Sequence, residues 1–175
     1  MSGTRRIVLY PDPVLRRKAA PVSRVDQAIR DLVQDMFRIM RQEEGAGLAA
    51  PQIGESLRLF VTEERPDEGQ PARAFINPQL AELAGDLDGH DEGCLSLPGI
   101  RGVIRRQPRV TIRALDEQGQ PFELTSDQFS ARVWQHEFDH LEGILITDRM
   151  AMLDRMRVRK ALRELEADAE DVRAR

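Results

Sequence analysis

Residues 136–140 read His136-Glu137-Phe138-Asp139-His140, and no other segment constrains the fold as strongly. Two histidines at i and i+4 reach a single ion when the segment is helical, because both rings then leave one face. The pattern therefore predicts a helix over about Asp127 to Leu141 that carries two imidazoles toward a metal. Glu137 sits beside them, able to act on a metal-bound water.

The type of site depends on a third ligand. One known extension of the pattern places a third histidine six residues after the second; Gly143 fits it, but Ile146 occupies the histidine position. A downstream glutamate is another route. Glu164 and Glu166, however, lie in a charged late segment that reads as a solvated helix face. The better candidate is upstream, in Glu92-Gly93-Cys94-Leu95-Ser96-Leu97-Pro98-Gly99. A free cysteine is otherwise a small buried apolar residue. Here it stands beside Gly93 and a Leu-Ser-Leu-Pro turn, where backbone can approach closely. One thiolate and two imidazoles leave an open position on a tetrahedral ion, as catalytic sites require. His90 is an alternative ligand, but is placed on the surface.

The chain has 175 residues, a length that fits one domain over 1–175 with a core of its own. Hydrophobic residues make up 41% and charged residues 32%, which is a globular balance. A net charge of −4 argues against a DNA-binding protein. A single cysteine excludes an intramolecular disulfide and fits a reducing compartment. No apolar run approaches the roughly 18 residues of a membrane span. Met1 to Arg6 is not followed by a secretory apolar region, so the expected location is the cytoplasm.

A first helix is predicted from Val25 to Glu43, where Ile29, Leu32, Val33, Met36, Phe37 and Met40 share one apolar face. Ser23 with Asp26 resembles its capping box, and Gly45-Ala46-Gly47 its stop. Strands are expected at Leu57–Thr62, Ala72–Ile76, Gln79–Ala84, Ile104–Leu115 and Phe122–Leu124, with a polar turn over Pro66–Pro71. A last helix spans about Met152 to Ala169. Without regular βαβ alternation, this order predicts an α+β fold. Short, mostly antiparallel strands would surround the central metal-binding helix, with further helices toward both ends.

A third segment, Gly45-Ala46-Gly47-Leu48-Ala49-Ala50-Pro51-Gln52, has small residues that would let a substrate backbone approach. Gln52 adds an amide donor. The segment lacks the Lys-Ser/Thr ending of a phosphate loop, which excludes nucleotide binding by that route.

Taken together, Gly45 to Gln52, Glu92 to Ser96 and Gln135 to His140 resemble the three motifs of the peptide deformylase family, in order and intact. Tyr10-Pro11-Asp12-Pro13-Val14-Leu15-Arg16 resembles the family's start, and the likeness runs to about Met150. Arg132 and Trp134 stand where many members carry aliphatic residues; Ala131-Arg132-Val133 resembles one branch.

The resemblance implies Cys94, His136 and His140 as ligands of one divalent ion, Fe2+ foremost, with Zn2+, Ni2+ or Co2+ able to substitute. It implies hydrolysis of the formyl group from N-formylmethionyl nascent peptides, releasing formate. A metal-bound water attacks the formyl carbon, with Glu137 as general base and then acid. Gln52 and the Leu95 backbone N–H meet the oxyanion. The peptide would lie along Gly45, Gly47 and Gly99, with its methionine side chain near Ala46, Phe129, Val133 and the edge of His136. Phe129 and Val133 read equally well as helix-to-sheet core. Arg101 and Arg106 are candidates for exposed rim contacts, and Asp139 for a structural residue that fixes the helix or a neighbouring arginine.

The segment from about 150 to 175 is the candidate ribosome contact. Arg155, Arg157, Arg159, Lys160 and Arg163 form a basic stripe suited to RNA phosphates, though followed by a run of acidic residues. Two rival readings are a metalloprotease built on the same helix motif and a non-catalytic ribosome-associated relative with a structural metal.

Overall fold

The computed structural model describes residues 5–173. Helix α1 covers Gln27–Gln42 and α2 covers Phe129–Leu141; a single turn α3 covers Ile146–Arg149, and α4 covers Met152–Arg173. The strands are β1 Gly47–Ala49, β2 Leu59–Thr62, β3 Arg73–Ala84, β4 Asp88–Cys94, β5 Leu97–Arg106, β6 Arg109–Leu115 and β7 Pro121–Ser126. Five of them form one antiparallel sheet in the order β1-β2-β3-β6-β7, and β4 pairs with β5 as a separate hairpin. The expected α+β class is the one observed.

Strand alternation sorts the sheet's side chains between two helices. Leu59, Val61, Ala74 and Ile76 pack with Leu32, Val33, Met36 and Met40 of α1. Phe60, Phe75, Val110 and Ile112 point to the other face and pack on Ala131, Trp134 and Leu141 of α2. The Phe60 and Phe75 rings stack at 4.6 Å, and Trp134 tilts against Phe75 at 5.8 Å. The metal-motif helix is thus fixed along its back by an aromatic and aliphatic cluster of the sheet. Its front is covered by the β4–β5 hairpin. A third core joins Leu97, Ile100 and Ile104 of that hairpin to Leu15, Leu145, Ile146 and Met150, and carries Val158, Leu162 and Leu165 of α4.

Several boundaries differ from expectation for local reasons. Helix α1 starts later because Asp26, not Ser23, is its cap: the Asp26 carboxylate accepts from the Ile29 N–H at 3.1 Å. It ends before the glycines, with Glu44 in the left-handed region at φ 53°. The two short strands 72–76 and 79–84 are one strand, β3, with a register shift at Asn77-Pro78. Asn77 takes φ 50° and its amide holds both the N–H and the carbonyl of Val22 at 2.8 Å. Conversely, the single strand expected over 104–115 is divided: β5 ends at Arg106 and β6 begins at Arg109, because Pro108 can neither donate nor continue the ladder. The hairpin strands β4 and most of β5 were not anticipated. Glu166 does not lie on a free solvated face, since it accepts the Tyr10 hydroxyl at 2.6 Å. Among the described residues, no helix is long and apolar enough to cross a membrane.

Candidate metal centre

Cys94, His136 and His140 converge, with one ligand atom from each lying within 4.8 Å of the others. The convergence needs two elements. His136 and His140 project from one side of α2, ring centroids 5.2 Å apart. Cys94 comes from the hairpin, at the end of β4, where a register irregularity after Gly93 precedes the turn over Leu95 and Ser96. Its Sγ lies 3.4 Å from His140 Nε2. The three donors fit a divalent cation: a thiolate and two imidazoles suit iron and zinc alike. The fit extends outward, since His136 Nδ1 is 3.0 Å from Glu92 Oε2, which leaves its other ring nitrogen for an ion. His90 is excluded from the cluster; it is exposed and pairs with Asp88 at 3.2 Å.

Glu92 is the hub of a buried network. Arg106 donates to both of its oxygens at 2.8 and 2.9 Å, and to Asp139 at 2.8 Å. Asp139 also takes both arms of Arg149 at 2.5 Å, so its structural assignment stands. Arg106 is not a rim residue: only 3% of it is exposed. It follows Ile100, Gly102 and Ile104 on the inward face of β5, an alternation visible in the sequence that identifies its burial. Arg101, one register away, is exposed and paired with Asp91 at 2.6 Å, consistent with the rim.

Burial pushes the Glu92 carboxyl up, but hydrogen bonds from His136 and Arg106 and their charges pull it well below the usual carboxylate range. A carboxyl held down in the folded state adds stability above its unfolded pKa and loses it as pH falls. Below about pH 4.3, metal-free protein is expected to lose from this group about 1.4 kcal/mol per pH unit. Urea unfolding of Glu92→Gln across pH 5 to 3 should show a correspondingly shallower acid dependence. An identical slope would mean that Glu92 is not ionised against its partners.

Glu137 is 4% exposed, and its Oε2 is buried without a hydrogen-bond partner among the described residues. Burial raises its carboxyl to about 7, against the pull of His136 and Arg106. Without an ion, burial disfavours charge on His136, yet bonding to Cys94 and Glu92 and the charge of Glu137 outweigh it and raise the ring to about 10. His140 is driven the other way, first by burial and then by the charges of His136 and Arg106. Without an ion, a proton on His136 is thus favoured, and ligation must displace it.

A cavity of about 440 Å³ opens over these groups. Gly45, Ala46, Gly47 and Gln52 form one wall, Cys94, Leu95 and Gly99 another, and Phe129, Val133, His136 and Glu137 the helix side. All the residues expected to bind substrate or stabilise charge therefore meet at one place. Phe129 is 45% exposed at the mouth, whereas Val133 is buried. A Cβ on Gly47 would lie 2.7 Å from Glu137 Oε1 and 2.9 Å from its Cγ and Cδ, so only glycine permits this approach.

Gln52 is fixed at both ends. Its Oε1 accepts the Ala49 N–H at 2.9 Å, and its Nε2 donates to Ser96 Oγ at 3.2 Å and reaches Cys94 Sγ at 3.5 Å. The Ala49 N–H, which can only donate, therefore sets which end of the amide faces the site, and the other end is met by Ser96, which is fully buried. The sequence showed it as part of a motif, with nothing to indicate this partner.

A family model described as polypeptide deformylase matches residues 4–156. A peptide deformylase of Azotobacter vinelandii is 46% identical over 156 residues, covering 89% of this chain and 92% of the relative. One from Pseudothermotoga lettingae is 43% identical over 161 residues, covering 92% and 91%. Among solved structures, a plant peptide deformylase superposes with a TM-score of 0.91 at 36% identity, covering 98% of this chain and 94% of that one. A Plasmodium falciparum peptide deformylase gives 0.89 at 38% identity, covering 95% and 98%. With its fold, its three motif segments and its donor cluster all in agreement with these matches, the chain belongs to the peptide deformylase family of hydrolases.

Proposed function

We propose that this chain hydrolyses the formyl group from the N-terminal formylmethionine of nascent peptides, with Cys94, His136 and His140 holding one divalent ion, Fe2+ by preference. The observation that carries the reading is the unpartnered, buried Glu137 carboxylate beside the three converging donors in one cavity. When bound, the ion supplies Lewis-acid polarisation and lowers the pKa of a water.

The chain's own groups do the rest. Glu137 accepts a proton from the attacking water, whose oxygen bonds to the formyl carbon. Gln52 Nε2, aimed toward Cys94 by its anchored Oε1, and the Leu95 N–H in the hairpin turn donate to the developing oxyanion. Glu137 then returns the proton to the leaving nitrogen as the C–N bond breaks. Formate and a free α-amine result. Gly45, Gly47 and Gly99 offer backbone to the peptide as an added strand. Ala46, Phe129 and Val133 receive the methionine side chain.

Helix α4 presents Arg155, Arg157, Arg159, Lys160 and Arg163, which suits contact with ribosomal RNA in the cytoplasm, where such substrates emerge.

Formyl-Met-Ala-Ser and unformylated Met-Ala-Ser test the reading together, followed by mass spectrometry. The expected result is loss of formyl from the first and no change in the second. Internal cleavage of either peptide would favour the metalloprotease instead.

Gly47→Ala should lower kcat by about a hundredfold, since displacing a reacting group by about 1 Å has that effect. Metal content should be retained. An unchanged kcat would show that Glu137 works from another position.

A further inference from the structure

Arg132 lies one helical turn before His136 on α2, in the wall of the same cavity, and the mechanism above gives it no role. Its side chain is only 11% exposed. Nη1 donates to Glu92 Oε1 at 2.9 Å and to the Ile104 carbonyl at 3.0 Å. Nη2 donates to Asp88 Oδ1 at 2.7 Å and to the Asp88 carbonyl at 3.2 Å. These four bonds run from α2 to both strands of the β4–β5 hairpin.

That connection matters because the donors are divided between the same two elements. The hairpin carries Cys94, while α2 carries His136 and His140. Apart from the ion itself, their separation depends on what ties hairpin to helix. Arg106 makes one tie in the core, from β5 to Asp139. Glu92 makes a second, from β4 to His136, and Arg132 makes a third at the cavity wall, beside the ligands. Arg132 also shares Glu92 Oε1 with Arg106, which donates as well to Oε2, the oxygen that faces His136 Nδ1. A carboxylate held on both oxygens cannot rotate away from the imidazole that it orients.

We propose that Arg132 is a positioning residue of the metal centre, setting the hairpin that bears Cys94 against the helix that bears the histidines and fixing the His136 ring through Glu92. The proposal rests on the ligand assignment above. A planar guanidinium with several donors makes these bonds at once; an ammonium or an aliphatic group does not.

Metal-free wild type, Arg132→Leu, Arg132→Lys and Arg58→Leu should be titrated with Co2+ against a competing chelator, with the visible absorption of the bound ion recorded. Arg58 pairs with Glu142 at 2.6 Å and is not a donor to the Glu92 hub, so its loss should lower thermal stability without moving cobalt affinity or spectrum. Arg132→Leu should bind Co2+ about tenfold more weakly, with altered ligand-field bands. Arg132→Lys should fall between, about threefold weaker, and decides the matter should the leucine variant not fold. An Arg132 variant with wild-type affinity and spectrum overturns the proposal, whatever its thermal stability. If wild type binds no cobalt, the ligand assignment fails and the proposal falls with it.

Discussion

Replacing Glu137 with alanine should remove nearly all turnover and leave the ion in place. Glu137 is not among the three converging donors, so its loss takes away no ligand. Its Oε2 has no hydrogen-bond partner among the described residues, so no network collapses. What disappears is the only buried carboxylate facing the cavity without a partner among the described residues. General bases contribute roughly 10²- to 10⁴-fold. The upper end applies here because one group serves both proton transfers, which amounts to about 5.5 kcal/mol of barrier. Stability should not suffer: a carboxyl raised to about 7 by burial is desolvated in the fold, and alanine relieves that cost. The measurement is kcat/KM with metal content on the same preparation. A near-normal rate in Glu137→Ala would reassign the base.

The largest effect on folding is expected at Arg106. Its side chain is 2% exposed and spans Glu92 and Asp139, both buried. Removing one partner of such a pair leaves buried charge uncompensated and costs about 3–5 kcal/mol. Arg106→Leu should sit near 3 kcal/mol, because Glu92 keeps Arg132 and Asp139 keeps Arg149. Urea unfolding of the metal-free protein gives the value. A loss below about 1 kcal/mol would place the network with ordinary surface pairs.

These two residues also show what the sequence reveals. The position of Glu137 was legible because it is encoded locally: helical spacing alone puts it beside two histidines. Cys94 and Gln52 were legible as members of short motifs whose order resembles a family. Arg106 was misread as exposed because its partners, Glu92 and Asp139, are distant in sequence, and composition makes a surface arginine the default. The alternation of Ile100, Gly102, Ile104 and Arg106 carried the correct answer.

The same distinction holds for the fold. Helix α1 was readable from six apolar positions on one face, and α2 from its metal spacing and apolar back. Strand β4 was not, since Asp88-Gly89-His90-Asp91-Glu92-Gly93 has no apolar alternation at all. Its pairing comes from β5, and its buried contacts are ionic. The register shift at Asn77 depends on Val22, a neighbour that no local pattern specifies, whereas the break at Pro108 follows from the proline itself. The site is therefore more legible than the sheet around it, apart from Ser96 and Arg132, whose partners appear only after folding.

The most direct test is made on one anaerobically purified sample. Metal content is measured by mass spectrometry and formate release from formyl-Met-Ala-Ser by a coupled assay. The expected result is about one divalent ion per chain, as a site of three protein ligands holds, with rapid formate release that is lost with the ion. A fully metal-loaded protein that releases no formate would contradict the account, leaving the non-catalytic, ribosome-associated reading in its place.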